Sequence, residues 1–295
     1  MNTFTIRDIE NLSGIKAHTL RVWEHRYGII KPMRKDSNHR LYGIDDLKKI
    51  LRISYLYNEG YKISRIAEMS ENEIRTLALE FSPKGNFEVF INQMMESSID
   101  FDETSFRKTI DSVFYHLGME DAMTLVVYPF FHKVGMLWVT GNIVPAQEHF
   151  ATNIIRNKIV MAISRMKAKK IVANRKYLIL CPPGEFHEIP LLLLQYSLRE
   201  RGIPSVYFGV NTDMGQIRDY LEKNEATHFF VHLITNFTHL EPGSLLDELH
   251  QHFPEIKILA SGKVFRNMEV PYPNTRVFDT VQHFISYLDV DGQLP

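Results

Sequence analysis

Up to about residue 169 the apolar positions recur at three- and four-residue intervals; from Tyr177 they gather into short continuous runs. The first pattern predicts helices and the second predicts buried strands. "TIRDIENLSG" reads as a helix with Thr5 as N-cap and Gly14 at the turn, and "KAHTLRVWEHRYG" as a second helix that ends at Gly28. Ile6, Ile9, Leu12, Ile15, Leu20 and Trp23 would join the pair as a helix-turn-helix. "IIKPMRKDSNHRLYGIDDL" reads as two short extended pieces around a polar tip, with Asp45 capping the next helix. "FSPKGN", residues 81–86, has the Pro and Gly of a linker. Beyond it, "FEVFINQMMESSI", "SFRKTIDSVFYHL", "DAMTLVVYPFFHKVGMLW" and "EHFATNIIRNKIVMAISRM" predict four helices in an up-and-down bundle.

After Tyr177 the runs alternate. "KYLILCP", "PSVYFGV", "THFFVHLI" and "IKILAS" read as strands, separated by the helices "EIPLLLLQYSLRERG", "DMGQIRDYLEKN" and "SLLDELHQHF". Apolar strands divided by helices of this length imply βαβ units, hence a doubly wound, Rossmann-like α/β domain with a buried parallel sheet. Ligands of such sheets bind outside the carboxyl ends of the strands. The fold class is therefore multidomain: a winged helix-turn-helix over 1–75, a four-helix bundle over 76–172 and the α/β domain over 173–295.

Composition narrows the functional classes. The 295 residues carry a net charge of −1, which excludes a uniformly basic nucleic-acid coat but not a local basic face. One such face is written between residues 16 and 40. Lys16, Arg21, Arg26, Lys31, Arg34, Lys35 and Arg40 stand there against only Glu24 and Asp36, an excess suited to phosphate contacts. Cys181 is the only cysteine, so no internal disulfide forms and a reducing interior is expected. No apolar run reaches the roughly 20 residues that span a bilayer, and the expected location is the cytoplasm, with no membrane partner. No Gly-rich phosphate loop, G-x-S-x-G or paired metal motif is present, and the chain is not expected to be an enzyme.

The first unit resembles the winged-helix DNA-binding domain of the MerR family of transcription regulators. The likeness runs from residue 4 to about 70 and rests on "TLRVWE", "PMR" and "RLY". It implies that Lys16, His18, Thr19 and Arg21 lie on a recognition helix, with Arg21 near backbone phosphate, and that Arg34, Lys35, Arg40 and Tyr42 belong to a DNA-contacting wing. Trp23 is expected in the core and Glu24 as an ion-pair partner.

Two further stretches carry chemistry. "CPPGEFHEIP" sets Glu185 and His187 in the loop leaving the first strand of the α/β domain, and "LWVTGNIVPAQEHFATN" sets Trp138 ten residues ahead of Glu148 and His149. Read alone, a loop histidine is a solvated turn residue, and Glu148 at a helix start needs no ligand. Together they resemble the cobalamin-binding module of methionine synthase and of the MerR-headed CarA, CarH and LitR group. The resemblance implies His187 as lower ligand to the cobalt of cobalamin, with Glu185 as its partner, and Trp138, Glu148 and His149 on the upper face. Neutral imidazole suits a borderline metal, and a carboxylate on its second nitrogen fixes the tautomer and raises basicity.

The chain departs from that pattern at several positions. Pro190 replaces the glycine that closes the histidine motif, His232 replaces the serine of "S-x-L", and the later glycine pair reads Ser261 and Gly262. A bulky imidazole at 232 could fill the place of the buried dimethylbenzimidazole. Val139 replaces the histidine of the photoreceptor branch, so any light response would be modified. The functional expectation is a MerR-type regulator, a repressor by analogy, that binds a double-stranded DNA operator as a homo-oligomer, dimer or tetramer. Adenosylcobalamin or methylcobalamin would control it through oligomer packing. Two alternatives stand beside it: a cobalamin-like half that is an apo dimerisation or protein-binding module, and a corrinoid methyl carrier, for which the DNA head has no use.

Overall fold

A computed structural model describes residues 3–34, 40–79, 87–139, 144–171, 174–234, 242–266, 268, 270 and 272–291. It divides into two compact units, Met1–Ile154 and Ile155–Pro295.

The first unit begins with α1 (Ile6–Ser13) and α2 (Ala17–Tyr27). Thr5 caps α1 through a reciprocal box: its hydroxyl accepts from the Asp8 N–H at 3.3 Å, and Asp8 Oδ2 accepts from the Thr5 N–H at 2.8 Å. Gly14 and Gly28 end the two helices in the left-handed conformation, φ 72° and 60°, as their sequence positions predict. The wing pairs β1 (Met33–Arg34) with β2 (Arg40–Leu41) antiparallel, in register Arg34 with Arg40. Phe4 and Tyr42 exchange two backbone hydrogen bonds of 2.8 and 2.9 Å and tie the wing base to the chain start.

The next helix, α3 (Ile44–Asn58), corrects an expectation. Its N-cap is Gly43, whose N–H donates to Asp46 Oδ2 at 2.8 Å; Asp45 lies inside the first turn instead of capping it. Two short helices, α4 (Ile63–Glu68) and α5 (Glu71–Leu79), complete the head. The linker at 81–86 lies outside the described residues.

The bundle follows as α6 (Glu88–Ile99), α7 (Glu103–Ala122), α8 (Tyr128–Val139) and α9 (Pro145–Arg165). Gly118, at φ 73° and ψ 175°, breaks α7, and one π-helical turn, Met123–Val127, leads into α8. Their apolar faces meet around Phe106, Phe130 and Phe150, whose rings make edge contacts at 5.8 and 5.9 Å. Head and bundle join within this unit through α3 and α6. Arg52 forks onto Glu96 at 2.7 and 3.0 Å, Lys48 meets Asp100 at 2.5 Å, and the Asn92 amide donates to the Leu51 carbonyl at 3.1 Å.

The second unit holds a five-stranded parallel sheet. Its elements are β3 (Tyr177–Leu180), α10 (Ile189–Glu200), β4 (Ser205–Gly209), α11 (Met214–Leu221), β5 (His228–His232), α12 (Pro242–His252), β6 (Lys257–Ser261), β7 (Thr275–Phe278) and α13 (Val281–Asp291). Strand order is β4-β3-β5-β6-β7. The sequence reading stops at β6; β7 and α13 extend it. Even positions of β3 and odd positions of β5 face a core with Ile217, Leu246 and Leu249. The opposite face sets Phe230 against Phe284 of α13 at 4.7 Å. Because β3 neighbours β4 on one side and β5 on the other, the chain switches direction there, and the carboxyl ends of β3 and β5 are where the crevice of such a sheet is expected.

Candidate functional site

Two chemically distinct surfaces are built on this frame, one in each unit. On the head, α2 presents its first turns outward. His18 and Arg21 are exposed, Thr19 is half-buried, and Lys16, the N-cap residue, is 81% exposed with Nζ 3.2 Å from Glu10. Arg26 and Lys31 are exposed as well. Trp23 is 3% exposed, in the core, and Glu24 pairs with Arg40 at 2.6 Å. That pair holds the wing to α2, so Arg40 is an anchor first. Its guanidinium pKa is raised, chiefly by the hydrogen bond to Glu24. Tyr42 is 1% exposed. Its ring belongs to the core of the head, and its place is packing, not contact. Lys35 lies outside the described residues, as does the Arg34 side chain.

In the bundle, Glu148 stands in the first turn of α9 and accepts from the Thr152 hydroxyl at 2.7 Å, with His149 Nε2 at 3.5 Å and 69% exposed. Gln147, beside them, is buried and ties this turn to α6, accepting from Ser98 through its carbonyl and donating to the Ile99 carbonyl, both at 2.9 Å. The Trp138 and Val139 side chains lie outside the described residues.

At the crevice, Glu185 organises the loop between β3 and α10. Its side chain is fully buried, and Oε1 accepts from the Phe186 and His187 backbone N–H groups at 2.8 and 2.9 Å and from His187 Nδ1 at 2.5 Å. Oε2 accepts from the Ile234 N–H at 2.7 Å, which ties this loop to the end of β5. A carboxylate only accepts, so Nδ1 carries the imidazole proton and Nε2 keeps its lone pair. The His187 side chain is 45% exposed, and Nε2 has no hydrogen bond among the described residues. Nearby, Glu188 accepts from Arg156 and from the Tyr207 hydroxyl at 2.7 Å. Burial works to raise the Glu188 pKa, but the hydrogen bonds from Arg156 and Tyr207 outweigh it and hold the carboxyl below its usual value. Pro190 sits comfortably in the first turn of α10.

His232 ends β5 and pairs in register with Ser261 at the end of β6. His232 is 4% exposed and Ser261 0%. Neither imidazole nitrogen and not the serine hydroxyl has a hydrogen-bond partner among the described residues. Burial pushes the His232 pKa down to about 4, keeping the ring neutral. Gly262, at φ 119°, lies so close to the Leu233 carbonyl that a Cβ would stand 2.2 Å from its oxygen; the retained glycine serves a backbone crossing. Cys181 is buried, and desolvation raises its pKa well above the ordinary thiol value, so it is inert.

The donor set at His187 fits a metal of the cobalt type: an imidazole nitrogen that keeps its lone pair, with a carboxylate on the other nitrogen. At the ends of β5 and β6, His232 and Ser261 are sealed. Sequence reasoning did not find the Arg52–Glu96 fork or the Ile234 link to Glu185; both join residues more than forty positions apart and leave no local signal.

The head is similar to a MerR-type helix-turn-helix, and the bundle to a B12-binding domain. Residues 4–73 match the family model of the MerR HTH family regulatory protein, and residues 90–162 match that of the B12 binding domain. The chain is homologous to two repressors of Myxococcus xanthus. It is 27% identical over 214 residues to the HTH-type transcriptional repressor CarH, covering 70% of this chain and 71% of the relative. To the HTH-type transcriptional repressor CarA it is 25% identical over 215 residues, covering 71% and 69%. In fold it is similar to the monomethylamine corrinoid protein of Methanosarcina barkeri, TM-score 0.52 at 11% identity, over 68% of this chain and 97% of that one. No helix among the described residues is long and apolar enough to cross a membrane.

Proposed function

We propose that this chain is a cytoplasmic transcriptional repressor that reads double-stranded operator DNA through α2 and the wing and answers to a corrinoid of the cobalamin class. Lys16 at the N-cap and His18, Thr19 and Arg21 on α2 would make groove and phosphate contacts; Arg34 and Lys35 add two cations to the wing sequence. The observation that carries the ligand half is the Glu185–His187 pair, whose 2.5 Å contact at Nδ1 leaves Nε2 with its lone pair on a side chain 45% exposed. His187 would be the lower axial ligand, and Glu185 holds its proton at Nδ1 and its ring in place. Bound there, the corrinoid would supply a cobalt centre able to exchange a ligand.

The proposed chain works as a homo-oligomer, dimer or tetramer, in which ligand state sets how copies pack and hence how heads are spaced on DNA. Such coupling can be no larger than the difference in ligand affinity between the assemblies. The test is desalting after incubation in darkness with adenosylcobalamin or adenosylcobinamide, followed by size-exclusion chromatography with and without duplex DNA. Retained colour that His187→Ala abolishes, and a ligand-dependent change in elution or in DNA retardation, are expected. A colourless protein with unchanged elution would sink the ligand half; failure to retard DNA at low salt would sink the other.

A further inference from the structure

Among the described residues the polar atoms of His232 and Ser261 have no partner, and they lie at the ends of β5 and β6. The alternation of β5 sets His232 on the face of Phe230, against α10 and α13, and the parallel register sets Ser261 on the same side. That face is filled: Leu191, Leu194 and Phe284 are 0% exposed and Phe278 is 6%. No solvent reaches the His232 nitrogens or the Ser261 hydroxyl. The β5–β6 seam stays closed one residue further, where the Leu233 N–H donates to the Ser261 carbonyl at 3.0 Å and Gly262 abuts the Leu233 carbonyl.

A cobalamin carries a nucleotide whose base is the cobalt's own lower ligand. A protein imidazole that takes this place must send the base elsewhere on the same side, and the same side is the α/β unit. Resting on the reading that His187 ligates the cobalt, we propose that His232 and Ser261 close the strand end against such a base, so that the chain selects corrinoids without a lower base. Leaving buried donors and acceptors unpaired is unfavourable, so packing alone does not favour an imidazole at this position over an apolar side chain. A role in ligand choice accounts for it.

The test uses the full chain in darkness and titrates adenosylcobinamide and adenosylcobalamin by visible absorption, for wild type, His232→Ser and His232→Ala. Wild type should bind adenosylcobinamide at least about tenfold more tightly, and His232→Ser should bring adenosylcobalamin to within a few fold of it. Two variants keep the test open if one folds poorly, with circular dichroism as the check on folding. Equal affinities in the wild type would overturn the proposal. So would tighter binding of adenosylcobalamin that is weakened in both variants, since His232 would then be a hydrogen-bond partner of the base. Retention of neither corrinoid by wild type ends the His187 reading and this inference with it, an outcome distinct from retention without preference.

Discussion

The head and the crevice place their polar groups in opposite ways. On α2 the cations stand in solvent: Lys16 is 81% exposed, and Arg21 and Arg26 are exposed too. In the crevice Glu185 is fully buried and His232 nearly so. A solvated charge contributes little to folding and acts mainly when DNA arrives. A buried carboxylate with four donors on it is a part of the fold, and its chemistry cannot be altered without altering structure. The head should therefore change in small, nearly additive steps of affinity, while the crevice should fail in large steps that mix stability with ligand binding.

Glu185→Ala gives the sharpest break. It leaves the Phe186, His187 and Ile234 N–H groups without their acceptor and frees the His187 ring. The expected loss is about 3–5 kcal/mol of stability, read from urea unfolding followed by circular dichroism. Glu185→Gln, which still accepts, should lose less. A loss below about 1 kcal/mol for the alanine variant would mean that the carboxylate does not organise the loop.

His232 gives the next largest effect, through pH. Its folded pKa is depressed to about 4, first by burial, with the Glu185 charge opposing and His187 adding to it. The unfolded value is near 6.5, so the unfolded chain takes up the proton first as pH falls. The contribution is fully present above about pH 6.5, declines between there and about pH 4, and levels off below; its size is up to about 3 kcal/mol. His232→Ser should flatten the stability profile across this window. An identical slope in wild type and variant would show that another group governs it.

How far these features could be read in advance follows from the range of the interactions behind them. Thr5, Gly14 and Gly28 were legible because capping is decided within four residues. Glu185 and His187 were legible as a pair because two residues in a short loop can meet without help from the rest of the fold. Asp45 was misplaced by two positions for a local reason: Gly43 takes the extended cap conformation, and Asp46 reaches back to its N–H. Tyr42 looked like a wing contact, and only its pairing with Phe4, almost forty residues away, reveals the burial of its ring. β7 went unread because "TRVF" is a four-residue edge strand with mixed burial, too short for a period to declare itself. The seal at His232 depends on Ser261 across the ladder and on helices that arrive later in the chain, which periodicity cannot report.

A smaller effect is expected at the head. Arg21→Ala should weaken binding to a mixed-sequence duplex by roughly tenfold at moderate salt and reduce the slope of log affinity against log salt by about 0.9, the loss of one phosphate contact. Fluorescence anisotropy over a salt series measures both. Folding stability should stay within about 0.5 kcal/mol of wild type, because the side chain is exposed. Arg40→Ala should differ by lowering stability as well, since Arg40 holds the wing to Glu24. If the two variants behaved alike in stability, the distinction between contact and anchor on this surface would fail.

The smallest effect tests whether the head truly answers in local steps. Thr5 and Asp8 exchange hydrogen bonds in the open, so each lost group is picked up by water, and the cost is that of an exposed cap. Thr5→Ala should lower stability by about 1 kcal/mol, and Thr5→Ser should restore most of it. DNA affinity, measured at a temperature well below the unfolding transition, should move by no more than the fraction of chain that unfolds, because α1 carries none of the residues assigned to the groove. A Thr5→Ala variant that folds fully and yet loses DNA binding as strongly as Arg21→Ala would show that α1 steers α2, and the additivity expected of the head would not hold.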